Sequence, residues 1–398
     1  MEKELWKGNE AVAEAAIRAG CKYFFGYPIT PQNEIPEYLS LHLPQVGGCF
    51  IQAESEVAAI NMVYGAAGCG VRAMTSSSSP GISLKQEGIT YMCGAELPAV
   101  IVNMMRGGPG LGTIQPAQGD YYQATRGGGN GDYRHLVFAP ATIQEAADYV
   151  QIAFDVADYY RNPVMILADG MIGQMMEAIE WHEIPKRELP PKTWATTGTK
   201  GEREPNVINS LYIDPNLCAD HNERLAAKYR AMEENETRWE EVNTENCEIL
   251  FVAYGTPSRI TRAAIRLLEK EGIKAGLLRP IPLWPFPGAR QDLVFPRGQY
   301  LGRFHKRTMT YTGTLHAGTH MDAPNHVMHE EEVDRARNGY NLAEIPLCRC
   351  IGSGIIVDMR YLKDQFEEKW NAAEGDPSRM SEDIWHIIMP EEFEAACA

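Results

Sequence analysis

The sequence predicts an α/β fold in which a parallel sheet is flanked by helices. Three observations carry this expectation. Over the first 180 residues, short apolar runs of extended character alternate with longer stretches of helical spacing. The apolar runs lead into polar or glycine-rich segments, GYPITP, TSSSSPG, RGGPG and ADG, as at the carboxyl edge of a parallel sheet, where ligands bind. Farther on, EILFVAYGTPSRITRAAIRLLEKEGIKAGLLRPIPLWPFP reads strand, helix, strand at a length that suits a right-handed crossover.

Lys22 to Phe25 is the first strand candidate. In GYPITPQNEIPE, which follows it, Pro31 suits the first helical position, with Thr30 as N-cap and Glu34 in the first turn. ESEVAAINMVYGAAG is the next helix candidate, Val71 to Thr75 the next strand, and SLKQEGITYMCGAE the helix after it. Ala99 to Met105 reads as a strand that ends on Arg106, and the strands His135 to Phe138 and Val164 to Ala168 bracket the helix TIQEAADYVQIAFDVADYY. Residues 181–245 lose the alternation: a Pro- and Lys-rich stretch leads to AAKYRAMEENETRWEEV, read as a linker with a solvated, charged helix. The only low-complexity segment is the run of four serines at 76–79.

At 398 residues the chain has length for two or three domains. Its hydrophobic content of 44% and charged content of 23% are those of a soluble globular protein. A net charge of -16 argues against nucleic acid or an anionic membrane as partner. No run approaches the roughly 20 apolar residues of a spanning helix, and the charged start MEKELWKGNE is no signal peptide, so the expected location is cytoplasmic. Nine cysteines without C-x-x-C pairing argue against a disulfide framework or an iron-sulfur run, so any clusters would sit on another chain.

Several positions carry chemistry on two readings. Thr30 is either a helix cap or a hydroxyl facing a ligand. Glu56 either complements a helix N-terminus with Ser55 as cap, or is a partly desolvated carboxylate able to share a proton with a ring nitrogen; Glu54, two positions away, competes for that role. Ser78 and Ser79 precede a helix, where amide donors can meet an anion or polar ligand. No G-x-x-x-x-G-K-[ST] is present, and RGGGNGDY at 126–133 reads as a mobile loop. Arg106, at the end of an apolar strand, requires an internal carboxylate or a ligand.

Taken together, GNEAVAEAAIRAGCKYFFGYPITPQNEI, QAESEVAAINMVYGAAGCG, SSSSPGISLKQEG and RGGPGLGTIQPAQGDYYQATRGGGNGDYR resemble the pyrimidine-binding domain of the 2-oxoacid:ferredoxin oxidoreductases, thiamine diphosphate enzymes that oxidise 2-oxoacids to acyl-CoA. The last segment is most similar to the branched-chain, ketoisovalerate type. The resemblance implies a pyrimidine-binding domain over residues 1–185, a linker over 186–245 and the start of a transketolase-C-like α/β domain over 246–287. It also implies that Glu56 pairs with the aminopyrimidine nitrogen, that Thr30 and Arg106 contact the carbonyl and carboxylate of the 2-oxoacid, and that Pro28, Ile29, Ser78 and Ser79 line the cofactor. The Gly-Asp-Gly of a diphosphate and Mg²⁺ site is missing; ADG at 168–170 is the nearest segment and matches a strand end instead. The implied enzyme therefore needs a partner subunit for diphosphate and Mg²⁺ and an iron-sulfur, ferredoxin-like subunit, with ferredoxin and coenzyme A as reactants.

After Pro287 the resemblance changes. FPRGQYLGRFHKRTMTYTGTLHAGTHMDAPNHVMHE and IPLCRCIGSGIIVDM, within residues 288–398, are similar to the cyclase family of metal-dependent hydrolases, the kynurenine formamidase-like enzymes. His316, His320 and Asp322 form an H-x-x-x-H-x-D pattern suited to Zn²⁺ or Mn²⁺, with His326 as the proton-transfer candidate. The alternative activity is accordingly metal-dependent amidohydrolysis, although this segment is less than half of such a hydrolase.

Overall fold

Runs of β-branched and large apolar side chains become the central strands, and glycine, proline and serine clusters become the turns between them. The structure, a computed structural model, describes residues 3–287. In chain order the elements are β1 (Glu4–Lys7), α1 (Gly8–Arg18), β2 (Tyr23–Gly26), α2 (Glu34–His42), β3 (Cys49–Gln52), α3 (Glu56–Gly68), β4 (Ala73–Ser77), α4 (Ser79–Gly94) and β5 (Ala99–Met105). They continue with α5 (Tyr121–Arg126), β6 (Leu136–Phe138), α6 (Ile143–Tyr160), β7 (Pro163–Asp169), α7 (Gly170–Gln174), β8 (Met176–Ile179) and α8 (Pro215–Glu236). Last come β9 (Trp239–Val242), β10 (Ile249–Val252), α9 (Gly255–Lys270), β11 (Ala275–Pro280) and β12 (Pro282–Trp284).

The main sheet has seven strands in the order β12-β6-β7-β5-β4-β2-β3. All its pairings are parallel except β12 with β6. The five strands read from the sequence are all present, and β4, β5 and β7 are buried along their whole length. Burial on both faces explains the largely apolar runs of β5 and β7, whereas β4 buries Thr75, Ser76 and Ser77 as well. One face packs on α1 and α6 through Phe24, Val102, Phe138 and Phe154; the other packs on α3 and α4 through Ile60, Ile89, Ile101 and Met165. Each such large apolar side chain contributes about 1.5–3 kcal/mol by leaving water.

A second sheet, β10-β11-β9, pairs β10 with β11 in parallel around α9, the strand-helix-strand unit expected there. Its third strand, β9, comes from within the stretch read as a linker and is antiparallel to β11. The charged helix of that stretch is also not a solvated one: α8 buries Leu225, Tyr229 and Met232 against the main core, and its Glu236 carboxylate is held by Tyr160, Arg187 and Arg238. The sequence RWEEV leaves the helix and enters β9, because Trp239 begins a register in which it pairs with Pro280.

The expected helix start at Pro31 is displaced. Thr30–Pro31 is a cis peptide, Gln32 N bonds Ile29 O at 3.1 Å, and α2 begins at Glu34, so Thr30 is not its cap. The glycine loop 126–133 is tied to α4 by hydrogen bonds. Gly128 N and the Tyr133 hydroxyl both donate to Gln86 Oε1, at 3.1 and 2.7 Å, and the Thr90 hydroxyl donates to Asn130 O.

No helix among the described residues is long and apolar enough to cross a membrane. The six cysteines there are unpaired thiols, and burial pushes Cys21 and Cys93 up to about 12. His316, His320, Asp322 and His326 lie outside the described residues, and no metal-binding cluster occurs within them.

Candidate functional site

Parallel pairing puts the ends of β2, β4, β5 and β7 on one edge, together with the turn after β3 that begins α3. Glu56 opens α3. Ser55, in extended conformation, caps the helix by accepting a bond from Ala58 N, as the sequence suggests. Of the two competing carboxylates Glu54 is exposed and Glu56 is only 6% exposed. Among the described residues no hydrogen bond reaches the Glu56 carboxylate, which lies against the first turn of α4. A Cβ on Gly81 would stand 2.6 Å from Glu56 Oε1 and would clash with Ser77 Oγ, so glycine is what lets the two helices meet there.

Below that contact lies Lys85, completely buried, with Nζ 3.1 Å from Thr75 Oγ1 and 3.4 Å from Glu56 O. Burial pushes its ammonium down to about 8, against the attraction of Glu56.

Thr30 and Arg106 meet. The Arg106 guanidinium donates to Thr30 O at 3.1 Å and to Leu111 O at 2.8 Å. Both acceptors are backbone carbonyls, so among the described residues no carboxylate satisfies this buried cation, and its Nε has no partner there. A buried donor left unpaired costs about 1–3 kcal/mol, a cost that an incoming acceptor would recover. Ser79 Oγ ties this arginine to α4 by accepting from Arg106 N at 3.0 Å and donating to Asp120 Oδ2 at 2.6 Å. Asn103 completes the network: its amide donates to Asp120 and its Oδ1 accepts from Ser79 N. The Ser79 amide is thus used internally, contrary to the open anion edge expected there. The Ser77 and Ser78 hydroxyls are buried without partners among the described residues.

The GYPITP loop is held rigidly. Pro31 O accepts from Asn9 and Gln174 at 2.8 and 2.9 Å, and Gln32 accepts from Ser76 within the core. Pro28 and Thr30 are exposed and Ile29 is half-buried. Beside Thr30 opens a cavity of about 430 Å³ lined by Pro31, Asn33, Ile114, Pro116 and Met171, among others. Asp169 of the ADG segment caps α7 through Met171 N and Ile172 N and accepts from Thr256 of α9.

The structure therefore joins Thr30, Arg106 and Ser79 through hydrogen bonds and sets Glu56 against the same helix start. Sequence reasoning missed Asp120, Asn103, Gln32 and Lys85. Asp120 and Asn103 carry no local signature, whereas Lys85, beside Gly81 and Gly88 on a helix with few charges, was open to suspicion.

Two family models match the chain: "Pyruvate flavodoxin/ferredoxin oxidoreductase, thiamine diP-bdg" over residues 14–241 and "Pyruvate:ferredoxin oxidoreductase core domain II" over residues 247–313. The second match runs past Pro287, the expected end of the oxidoreductase resemblance. The chain is 51% identical to the ketoisovalerate oxidoreductase subunit VorB of Methanothermobacter thermautotrophicus over 290 residues, which cover 73% of this chain and 82% of that one. It is 38% identical to the 2-oxoglutarate synthase subunit KorA of Methanocaldococcus jannaschii, covering 72% and 84%. A solved 2-oxoglutarate:ferredoxin oxidoreductase from Magnetococcus marinus, with 2-oxoglutarate, coenzyme A and succinyl-CoA bound, superposes with a TM-score of 0.66 at 26% identity. That superposition covers 73% of this chain and 56% of the solved one.

Proposed function

The chain belongs to the 2-oxoacid:ferredoxin oxidoreductase family, and on that premise we propose that it supplies the aminopyrimidine half of a thiamine diphosphate site for oxidative decarboxylation of a 2-oxoacid to its acyl-CoA. The observation that carries this reading is Glu56: a buried residue at a helix start whose carboxylate has no hydrogen bond from the described residues and packs closely on Gly81 of α4. A polar heteroaromatic ring fits such a place, since its nitrogen would satisfy the carboxylate, and the buried Ser77 and Ser78 hydroxyls offer further unused polar atoms. Bound there, thiamine diphosphate would supply the electron sink that decarboxylation requires.

This chain's own residues then have distinct tasks. Glu56 holds a proton shared with the pyrimidine nitrogen. Arg106 receives the substrate carboxylate on its unpaired Nε. The Thr30 hydroxyl donates to the keto oxygen, while Pro28 and Ile29 wall the ring. Ser78 borders the ring, and Ser79 fixes Arg106 rather than touching a ligand. The cavity beside Thr30, with Ile114 and Met171 in its lining, suits a short branched apolar tail such as that of 3-methyl-2-oxobutanoate. In this reading diphosphate, Mg²⁺ and iron-sulfur clusters belong to partner subunits, and ferredoxin takes the electrons. Residues 1–185 act as the pyrimidine-binding domain.

The test is the complex reconstituted with its partner subunits. Glu56→Gln is expected to lower kcat for 2-oxoacid oxidation by roughly 10²–10⁴-fold, and full activity in that variant would overturn the assignment. A kcat/KM for 2-oxoglutarate above that for 3-methyl-2-oxobutanoate would overturn the substrate reading alone.

A further inference from the structure

The chain leaves β5 at Arg106, makes the loop 107–119 and returns at Asp120 to open α5. Both stems of this loop meet on one hydroxyl. Ser79 Oγ, at the first residue of α4, accepts from Arg106 N at 3.0 Å and donates to Asp120 Oδ2 at 2.6 Å. A serine hydroxyl carries a single proton, and Arg106 O, at 3.2 Å, is the other acceptor within its reach. The carboxylate oxygen is the stronger and nearer acceptor, so it takes that proton and turns a lone pair of Ser79 Oγ toward Arg106 N. Asn103 of β5 aims the carboxylate by donating to the same Oδ2 at 2.9 Å.

Asp120 performs neither ordinary task of an aspartate in this place. It stands immediately before α5, where an aspartate commonly caps, yet its side chain makes no cap bond there. Nor does it receive the neighbouring guanidinium, which donates to the carbonyls of Thr30 and Leu111 instead. A direct pair between Asp120 and Arg106 would close the arginine to a ligand; with a hydroxyl interposed, the arginine main chain is fixed and its Nε stays open. The same anchor steadies the wall of the cavity. Gly107 N donates to Gln115 O at 3.0 Å, Arg106 pairs with Pro116, and Ile114, next along this loop, lines the cavity beside Thr30.

We propose that Asp120 is a positioning residue for recognition of the 2-oxoacid carboxylate: by orienting Ser79 Oγ it fixes the Arg106 main chain at the end of β5 and so aims the guanidinium. This rests on the reading of Arg106 as the receptor of that carboxylate. Asp120 touches neither substrate nor cofactor. Without it the Ser79 hydroxyl is free to turn to Arg106 O, and the stem that carries the arginine loosens. The carboxylate is gripped before the reaction begins, so the loss falls on KM more than on kcat.

The experiment uses the complex assembled with its partner subunits, for the wild type, Asp120→Ala, Asp120→Asn, Ser79→Ala and Arg106→Ala. Steady-state kinetics with 3-methyl-2-oxobutanoate are set beside calorimetric titration with 2-hydroxy-3-methylbutanoate, which keeps the carboxylate and the tail but has no keto carbon to react. Asp120→Ala and Ser79→Ala are each expected to raise KM and to weaken binding of the hydroxy acid by roughly tenfold, with kcat within about threefold of wild type. Asparagine keeps an oxygen that can accept from both Ser79 and Asn103, so Asp120→Asn should restore both quantities to within about twofold. Combining Asp120→Ala with Ser79→Ala should add little, because the effect runs through one hydroxyl. Wild-type KM and affinity in Asp120→Ala would overturn the proposal, and so would an Asp120→Asn as impaired as Asp120→Ala. Loss of assembly in both alanine variants would also overturn it, by making the network a strut of the fold; if Asp120→Ala alone fails to assemble, Ser79→Ala decides. Should Arg106→Ala keep wild-type KM and affinity, the reading of Arg106 fails and the role of Asp120 falls with it; should Arg106→Ala alone be impaired, that reading stands and only the role of Asp120 fails.

Discussion

Glu34 and Glu56 stand in the first turns of neighbouring helices, on the same edge of the same sheet, and are used in opposite ways. Glu34 is saturated: Lys7 donates to it at 2.6 Å, Asn9 at 2.6 Å, and Gln174 at 3.0 and 3.1 Å. Burial pushes its carboxyl up, but the bonds from Lys7 and Asn9, its own backbone and Gln174 outweigh this and hold it below its ordinary value. Glu56 is more deeply buried, receives no hydrogen bond among the described residues, and has a buried ammonium below it instead of a salt bridge. A carboxylate that spends all its acceptors on the protein stabilises the fold; one with its acceptors unspent is the one the proposed function assigns to a ligand. Position at a helix N-terminus does not separate the two cases, and the inventory of donors does.

The comparison can be broken by exchanging the consequences. The largest effect is expected from Glu56→Gln, which should remove nearly all turnover while shifting Tm by less than a few degrees, as thermal denaturation of the same sample would show. Glu34→Gln should do the reverse. It removes charge-assisted bonds worth about 1.5–3 kcal/mol in all, lowers Tm, and, although Glu34 lines the cavity beside Thr30, costs far less turnover than Glu56→Gln. Its pH signature has a definite sign. The folded Glu34 carboxyl titrates below its unfolded value, so its stabilisation is complete at neutral pH and is lost as pH falls through the folded value. Denaturation below pH ~4.5 should therefore separate wild type from Glu34→Gln less than denaturation at pH 7 does. The smallest effect is that of Ser55→Ala, about 1 kcal/mol for the lost cap bond to Ala58 N. If Ser55→Ala lowers kcat as much as Glu56→Gln, then anchoring of α3, and not the carboxylate, limits the reaction.

Four of the five strands read from the sequence were legible as buried apolar runs, and the fifth, β4, as the short extended stretch Val71 to Thr75 between Gly70 and the serine run. β3 was not, since CFIQ lies at the sheet margin with Ile51 and Gln52 exposed and offers no run at all. β1, β8 and β12 exist only through distant pairing, which no local pattern encodes. The Ser55 cap was readable because a serine directly precedes the helix. Thr30 was misread for the same reason: its proline neighbour suits a helix start, but the turn is closed by Asn9, Gln174 and Ser76, which lie far away in sequence. The docking of α8 was hidden by charges around the three-residue stripe Leu225, Tyr229 and Met232. At the site, Thr30, Glu56 and Arg106 were named from residue type and setting. Their connection through Ser79, and the lysine below, required the packing of α4 to be seen.

The antiparallel strand β12 closes one margin of the main sheet by pairing with β6, although the two are separated in the chain by α6, β7, the long excursion through α8 and the whole of the second sheet. During synthesis, then, β6 must wait for its outer neighbour. At ordinary ribosomal speeds the delay is roughly 7–30 s, and through it the Leu136–Phe138 margin is a bare template for any other extended chain. The nascent protein is thus most vulnerable to mispairing after the sheet edge that carries Thr30, Glu56 and Arg106 is already complete, and chaperones or partner subunits that shield this margin would have to act before residue 284 emerges.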